Sequence, residues 1–211
     1  MDVMIAWQAA TLFLTDYFAV AVGVLSGVLF AIDRDLDIVG CVSLGLVVGY
    51  GGGIIRDILL HDQGFFFMDH PNLVVFCIVL AAMVFLLREH LKIKESHLFI
   101  VDALSMALYA VAGASKVYLA GASAVFVIIL GALTAVGGGV LRDVCLGETP
   151  AVFRPSNFYA VSGIIGSTVY VIFASFGIPL SVAGVTCVAV AFLLTVLSPH
   201  FGWRTFARRR R

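Results

Sequence analysis

The ten residues from Gly51 to Leu60, Gly-Gly-Gly-Ile-Ile-Arg-Asp-Ile-Leu-Leu, return 86 positions later as Gly137 to Leu146, Gly-Gly-Gly-Val-Leu-Arg-Asp-Val-Cys-Leu. The register extends beyond the motif. The same offset pairs Asp16 with Asp102, Gly27 with Gly113 and Gly45 with Gly131. One offset held over this length predicts a structural unit that is built twice. Composition decides the solvent of that unit. The 211 residues are 62% apolar and only 12% charged, where soluble domains are ~45–50% apolar and ~25% charged. So few charges cannot cover a soluble surface. A soluble enzyme, a nucleic-acid binder and a disordered chain are excluded together. An all-α polytopic membrane protein remains, a single transmembrane domain over residues 1–211.

A spanning helix needs ~20 apolar residues. Apolar runs separated by polar clusters predict seven spans, at about 10–32, 38–60, 73–88, 97–118, 123–146, 157–175 and 178–198. Three spans fall in each copy of the repeat, about 10–90 and 96–176, and a seventh helix follows at about 178–198. Three is odd, so the second copy starts on the opposite side of the membrane and must be inverted. Inverted repeats are an architecture of transport proteins, with the pathway at the repeat interface. Orientation follows from loop charge. With the N-terminus outside, eleven Lys and Arg residues lie inside, among them Arg34, Arg88, Lys92, Lys94, Arg142, Arg154, Arg204 and Arg208–Arg211. Only Arg56 and Lys116 then lie outside. The C-terminus is predicted cytoplasmic, with its basic tail, 203–211, against anionic headgroups. The outer mouth, with Asp2, Asp16, Asp57, Asp62 and Asp69, is acidic and favours cations.

The triplets Gly51, Gly52, Gly53 and Gly137, Gly138, Gly139 lie well inside the second and fifth spans. Six helical glycines carry a propensity cost of about 6 kcal/mol relative to alanine. One reading breaks both helices there and turns the freed backbone toward a water-filled path. The other uses the glycines for close helix packing, as small-residue motifs do. The break is the expectation, since three glycines exceed what packing requires. Arg56, Asp57, Arg142 and Asp143 follow the triplets directly. Asp16 sits at the depth of Arg56, and Asp102 at the depth of Arg142. Pairing of Asp16 with Arg56 and of Asp102 with Arg142 is predicted, because intramembrane charges pair and mark pathways. Pairing within Arg56-Asp57 is disfavoured, since neighbouring helical residues point away from each other. Cys41, Cys77, Cys145 and Cys187 sit apart in apolar runs, and the histidines have no ligand spacing. No metal site, no cofactor, no catalytic residue and no enzymatic activity are expected.

The doubled Gly-Gly-Gly-x-x-Arg-Asp-x-x-Leu, the run from Asp102 to Gly113-Ala114, and Gly147-Glu148-Thr149-Pro150 with Phe158-Tyr159-Ala160 resemble one family. It is the prokaryotic branch of the trimeric intracellular cation (TRIC) channels, a domain family also labelled glycine transporter. The resemblance covers about residues 10–197. It implies a homotrimer in a prokaryotic inner membrane, with a potassium-permeable pore inside each subunit. It assigns the hinges to Gly51–Gly53 and Gly137–Gly139, and the charged motif positions to Arg56, Asp57, Arg142 and Asp143. One departure stands out: His61-Asp62-Gln63-Gly64 replaces the Gly and Pro usual after Leu-Leu, a pattern that Pro150 keeps in the second copy. The second functional reading is a secondary transporter of a small amino acid such as glycine, which inverted repeats also permit.

Overall fold

The computed structural model describes the backbone of residues 2–61, 64–90, 94–154 and 158–205, with side chains from Leu14 onward. The expectations placed on Asp62, Lys92, Arg208–Arg211 and the side chain of Asp2 lie outside the described residues. Among those described, the chain forms eight α-helices: α1 (Asp2–Asp33), α2 (Ile38–Leu60), α3 (Phe66–Asp69), α4 (Pro71–Leu86), α5 (Glu95–Leu119), α6 (Ala124–Cys145), α7 (Tyr159–Ser175) and α8 (Leu180–Leu197). A 3-10 turn, Ala151–Phe153, precedes α7. Helices α1, α2, α5, α6 and α8 are long and apolar enough to cross a membrane. Helices α4 and α7 are equally apolar but have only 16 and 17 residues. The single turn α3 was not expected: four residues in a polar-flanked stretch carry no helical period.

Helix ends follow local chemistry. Asp37 caps α2 by accepting from the Gly40 N–H at 2.7 Å. Pro71 opens α4, where its missing N–H is no loss. Gly147 ends α6 at φ +72°, and the Glu148 N–H reaches back to the Asp143 carbonyl at 2.8 Å. The position 86 residues earlier is His61, which holds φ +55° at the end of α2. The departure seen in the sequence is thus a side chain placed where the second copy uses glycine, at some backbone strain.

Two apolar cores divide the chain. One gathers Val20, Val24, Val28, Leu44, Val48 and Leu73 from α1, α2 and α4. The other gathers Met106, Val117, Val127, Leu130, Tyr170 and Cys187 from α5 to α8. Helix α5 is the most enclosed span. Helices α4 and α8 turn Val75, Phe76, Val79, Val185 and Leu193 outward. An apolar outer face of this kind suits lipid rather than water.

The glycine triplets correct the sequence-based expectation. Helices α2 and α6 run unbroken through Gly51–Gly53 and Gly137–Gly139. The absent Cβ atoms are used for contact between the two helices. A Cβ on Gly52 would stand 2.3 Å from the Thr134 carbonyl oxygen, and one on Gly138 2.5 Å from the Val48 carbonyl oxygen. A Cβ on Gly137 would meet the Gly52 Cα at 3.1 Å. The two contacts are images of each other under the 86-residue offset, with α2 and α6 antiparallel where they cross. Close backbone approach of this kind offsets the propensity lost at glycine. The same reciprocity recurs where α1 meets α2 and α5 meets α6. A Cβ on Gly27 would lie 2.9 Å from the Gly45 Cα, and one on Gly113 2.9 Å from the Gly131 Cα.

Candidate functional site

Arg56 and Arg142 lie on opposite sides of the α2–α6 crossing, each about four to five residues, or ~7 Å, from its centre. Both are buried among apolar helices, at 2% and 4% exposure. A guanidinium at such depth is tolerated only with partners. Each has them, and the two sets correspond.

In the first cluster, Arg56 Nη1 donates to Asp16 Oδ1 at 3.0 Å and to the Ala112 carbonyl at 3.2 Å. Its Nε donates to Asp57 Oδ1 at 2.8 Å. The other oxygen of Asp57, Oδ2, accepts from the Phe66 N–H at 2.9 Å, where α3 begins. Lys116, near the end of α5, donates from Nζ to Asp57 Oδ1 at 2.8 Å. In the second cluster, Arg142 Nη1 donates to Asp102 Oδ1 at 2.6 Å, and Nε to Asp143 Oδ1 at 2.9 Å. Asp143 Oδ2 accepts from the Ala151 N–H at 2.9 Å, where the 3-10 turn begins. Ser26 donates to Asp102 Oδ1 at 3.0 Å. The Phe30 ring lies against the Arg142 guanidinium, 3.8 Å from ring centre to Cζ.

The structure therefore brings together Asp16 with Arg56, and Asp102 with Arg142. It also pairs Arg56 with Asp57 and Arg142 with Asp143, contrary to the expectation from helix geometry. The long arginine stem curls back, so that Nε reaches the adjacent carboxylate while Nη1 reaches across to α1 or α5. Each motif aspartate then ties its helix to the loop that follows. Sequence reasoning missed four contributors. Lys116 was read as a loop charge, and Ser26, Phe30 and Tyr109 carry no motif. The sequence offered one signal for Lys116: the 86-residue offset sets it against Phe30, so its charge is not repeated in the other copy.

Space around the first cluster is small. Asp16, Gly49, Gly53, Arg56, Asp57 and Tyr109 line a cavity of about 10 Å³, room for about one water. The Tyr109 hydroxyl closes it by donating to the Gly49 carbonyl. The larger cavities lie elsewhere. One of about 510 Å³, with a mostly apolar lining, opens between α1, α5 and α8. One of about 420 Å³ lies between the α1–α2 loop and the end of α6. There Arg34 donates to Glu148 and joins two loops that are 114 residues apart. Hydrogen bonding from Arg34 holds the Glu148 carboxyl below the usual carboxylate range.

No group of three His, Cys, Asp or Glu residues capable of holding a metal occurs among the described residues. What the arrangement offers is charge: two buried ionic clusters, one on each side of a tight helix crossing.

Comparison with known proteins gives this geometry a family. The model of a family described as "Glycine transporter" matches twice, over residues 13–89 and 99–175. The UPF0126 inner membrane protein YadS of Escherichia coli is 33% identical over 196 residues, covering 91% of this chain and 94% of the relative. The crystal structure of the TRIC trimeric intracellular cation channel orthologue from Rhodobacter sphaeroides superposes with a TM-score of 0.85 at 33% identity, covering 92% of this chain and 99% of that one. A prokaryotic TRIC channel crystallised in 0.5 M KCl superposes with a TM-score of 0.84 at 28% identity, covering 92% and 98%. The chain is an all-helical membrane protein and belongs to the family described as "Glycine transporter", that of the prokaryotic TRIC channels.

Proposed function

We propose that this protein is a cation channel permeable to potassium, with one path inside each subunit of a homotrimer. The observation that carries the reading is the match over nine-tenths of the chain to channels described as TRIC cation channels. The path follows α2 and α6. The residues that govern it are the glycines of the crossing, Gly51–Gly53 and Gly137–Gly139, and the ionic groups Asp16, Arg56, Asp57, Asp102, Arg142 and Asp143. Buried, paired charges within membrane helices mark ion pathways, which supports this reading. The cavity at the first cluster, about 10 Å³, holds about one water.

The same proposal covers architecture. Two inverted three-helix repeats, about 10–90 and 96–176, and a seventh helix, about 178–198, form one transmembrane domain with seven crossings. The double family match and the reciprocal glycine contacts support this division. The N-terminus is outside and the C-terminus inside a prokaryotic inner membrane. The Arg34–Glu148 bond puts the α1–α2 and α6–α7 loops on one face, as this division into crossings requires, and the excess of Lys and Arg in the loops assigned to that face supports placing it inside.

The family's other label keeps a carrier of glycine as the rival. Purified protein in liposomes separates the two. We expect a potassium flux that collapses an imposed potassium gradient, is carried as current, and is unaffected by glycine. Saturable glycine uptake without ionic current would replace the channel with the carrier.

A further inference from the structure

Each motif aspartate holds the loop that leaves its helix. Asp57 accepts from the Phe66 N–H with Oδ2, and from the His61 N–H with its carbonyl at 3.2 Å. Asp143 accepts from the Ala151 N–H with Oδ2, and from the Glu148 N–H with its carbonyl at 2.8 Å. At the first cluster the segment held in this way supplies Phe66 and Phe67 to the wall of the small cavity beside Arg56. The α6–α7 loop takes the corresponding place at the second cluster. There it has a hold that the first copy lacks. Arg34, directly after α1, reaches across 114 positions and donates to Glu148. The position equivalent to Arg34 at the 86-residue offset is Ala120, which has no charge to offer.

The neighbouring charges stay within their own loops. Arg34 Nε lies 3.8 Å from Oδ2 of Asp33, its chain neighbour. Arg154 pairs with Glu148 at 3.4 Å and donates to the Thr149 carbonyl at 2.5 Å, both inside the α6–α7 loop. Arg34–Glu148 instead ties that loop to the end of α1. Both side chains are partly exposed, at 41% and 34%. None of the three residues Ala151–Phe153 is buried. A cavity of about 420 Å³ lies beside the bond, with Arg34, Leu36, Cys145 and Leu146 in its lining. The loop is thus held by polar bonds more than by packing. An exposed ion pair adds little stability, so it breaks and re-forms without unfolding anything. One and two turns before Arg34, α1 places Phe30 on Arg142 and Ser26 on Asp102. The bond therefore joins two elements that flank the second cluster.

We propose that the Arg34–Glu148 ion pair is a clasp that holds the α6–α7 loop over the second cluster and sets how readily that end of the fold opens to solvent. Ala120 denies the first-cluster end the equivalent bond, so the control is one-sided. The effect of the clasp on ion flow rests on the channel reading above, while its effect on access to the cluster does not.

Thiol modification of the protein in lipid nanodiscs, where solution reaches both faces, tests this. Gly139→Cys, beside Arg142, reports on the second cluster, and Gly53→Cys, in the wall of the small cavity, reports on the first. Each is placed in a background where Cys41, Cys77, Cys145 and Cys187 are replaced. A charged maleimide is the probe, and mass spectrometry follows its rate of addition. Arg34→Gln and Glu148→Gln should each speed modification of Gly139→Cys about twofold to fivefold, the range over which an exposed ion pair shifts an equilibrium. Neither should change the rate at Gly53→Cys. The exchange of Arg34→Glu with Glu148→Arg rebuilds the pair with its sign reversed and should return the rate most of the way. Unchanged rates in both single variants, no modification of Gly139→Cys in any variant, or equal acceleration at both cysteines overturns the clasp. If one single variant does not fold, the other decides by the same comparison. Under the channel reading, the same two substitutions raise potassium current in liposomes. Faster modification with no potassium current in any variant, wild type included, keeps the clasp and removes the channel reading.

Discussion

Gly52→Ala is expected to destabilise the protein by about 1–3 kcal/mol or more, while Gly53→Ala, one residue on, leaves it as stable or up to ~1 kcal/mol more stable. By helix propensity alone both substitutions should help. The difference lies in what the new methyl group meets. At Gly52 it would stand 2.3 Å from a backbone carbonyl of α6, which cannot rotate away. The two helices must separate, and the antiparallel crossing at the centre of the fold loosens. At Gly53 the nearest atom is the end of the Arg56 side chain at 3.9 Å. Gly138→Ala, 2.5 Å from the Val48 carbonyl, should repeat the loss seen at Gly52. Thermal unfolding of the detergent-solubilised protein measures this. Equal behaviour of Gly52→Ala and Gly53→Ala would mean that the crossing is not held by backbone contact.

The second large effect concerns the buried ion pairs. Removing one partner of such a pair strands a charge and costs about 3–5 kcal/mol. Arg56→Gln and Asp16→Asn are each expected near that range, with the double variant recovering a coupling of about 1–3 kcal/mol. The two clusters should not respond equally. Arg56→Gln leaves Asp57 still paired with Lys116. Arg142→Gln leaves Asp102 and Asp143 without any basic partner among the described residues, so it should be the more damaging change. Urea or thermal unfolding of the four-variant cycle for each pair gives the coupling. Simple additivity in both cycles would reduce the arginines to independent anchors.

Legibility of these features in the sequence varied with their cause. The helices were readable because an apolar run of twenty residues has few other ways to satisfy its backbone in lipid. The Asp16–Arg56 and Asp102–Arg142 pairs were readable because depth along a helix is simple arithmetic at 1.5 Å per residue. The glycine triplets misled, since propensity is a local quantity and its compensation is tertiary. Nothing near Gly52 in sequence announces Thr134, which lies 82 positions away. The bonds from Phe66 and Ala151 to the motif aspartates depend on where a loop returns, and loop paths leave no periodic trace. Lys116 was hidden by its place near the end of an apolar span, where a lysine ordinarily snorkels to the interface. Only its comparison with Phe30 across the repeat makes it informative.

Under the proposed function, ions pass along α2 and α6 between two clusters that face opposite sides of the membrane. Site-specific block of current tests it most directly. Gly53→Cys and Gly139→Cys are placed singly in a background where Cys41, Cys77, Cys145 and Cys187 are replaced, and a membrane-impermeant cationic thiol reagent is applied from each side during potassium current. Gly53 lines the cavity at the first cluster and Gly139 packs beside Arg142, with its Cβ position 3.8 Å from the guanidinium. Irreversible block of Gly53→Cys only from outside, and of Gly139→Cys only from the cytoplasm, is the expected result of a path along both helices. Block of both from one side, or of neither from any side while current flows, would contradict it.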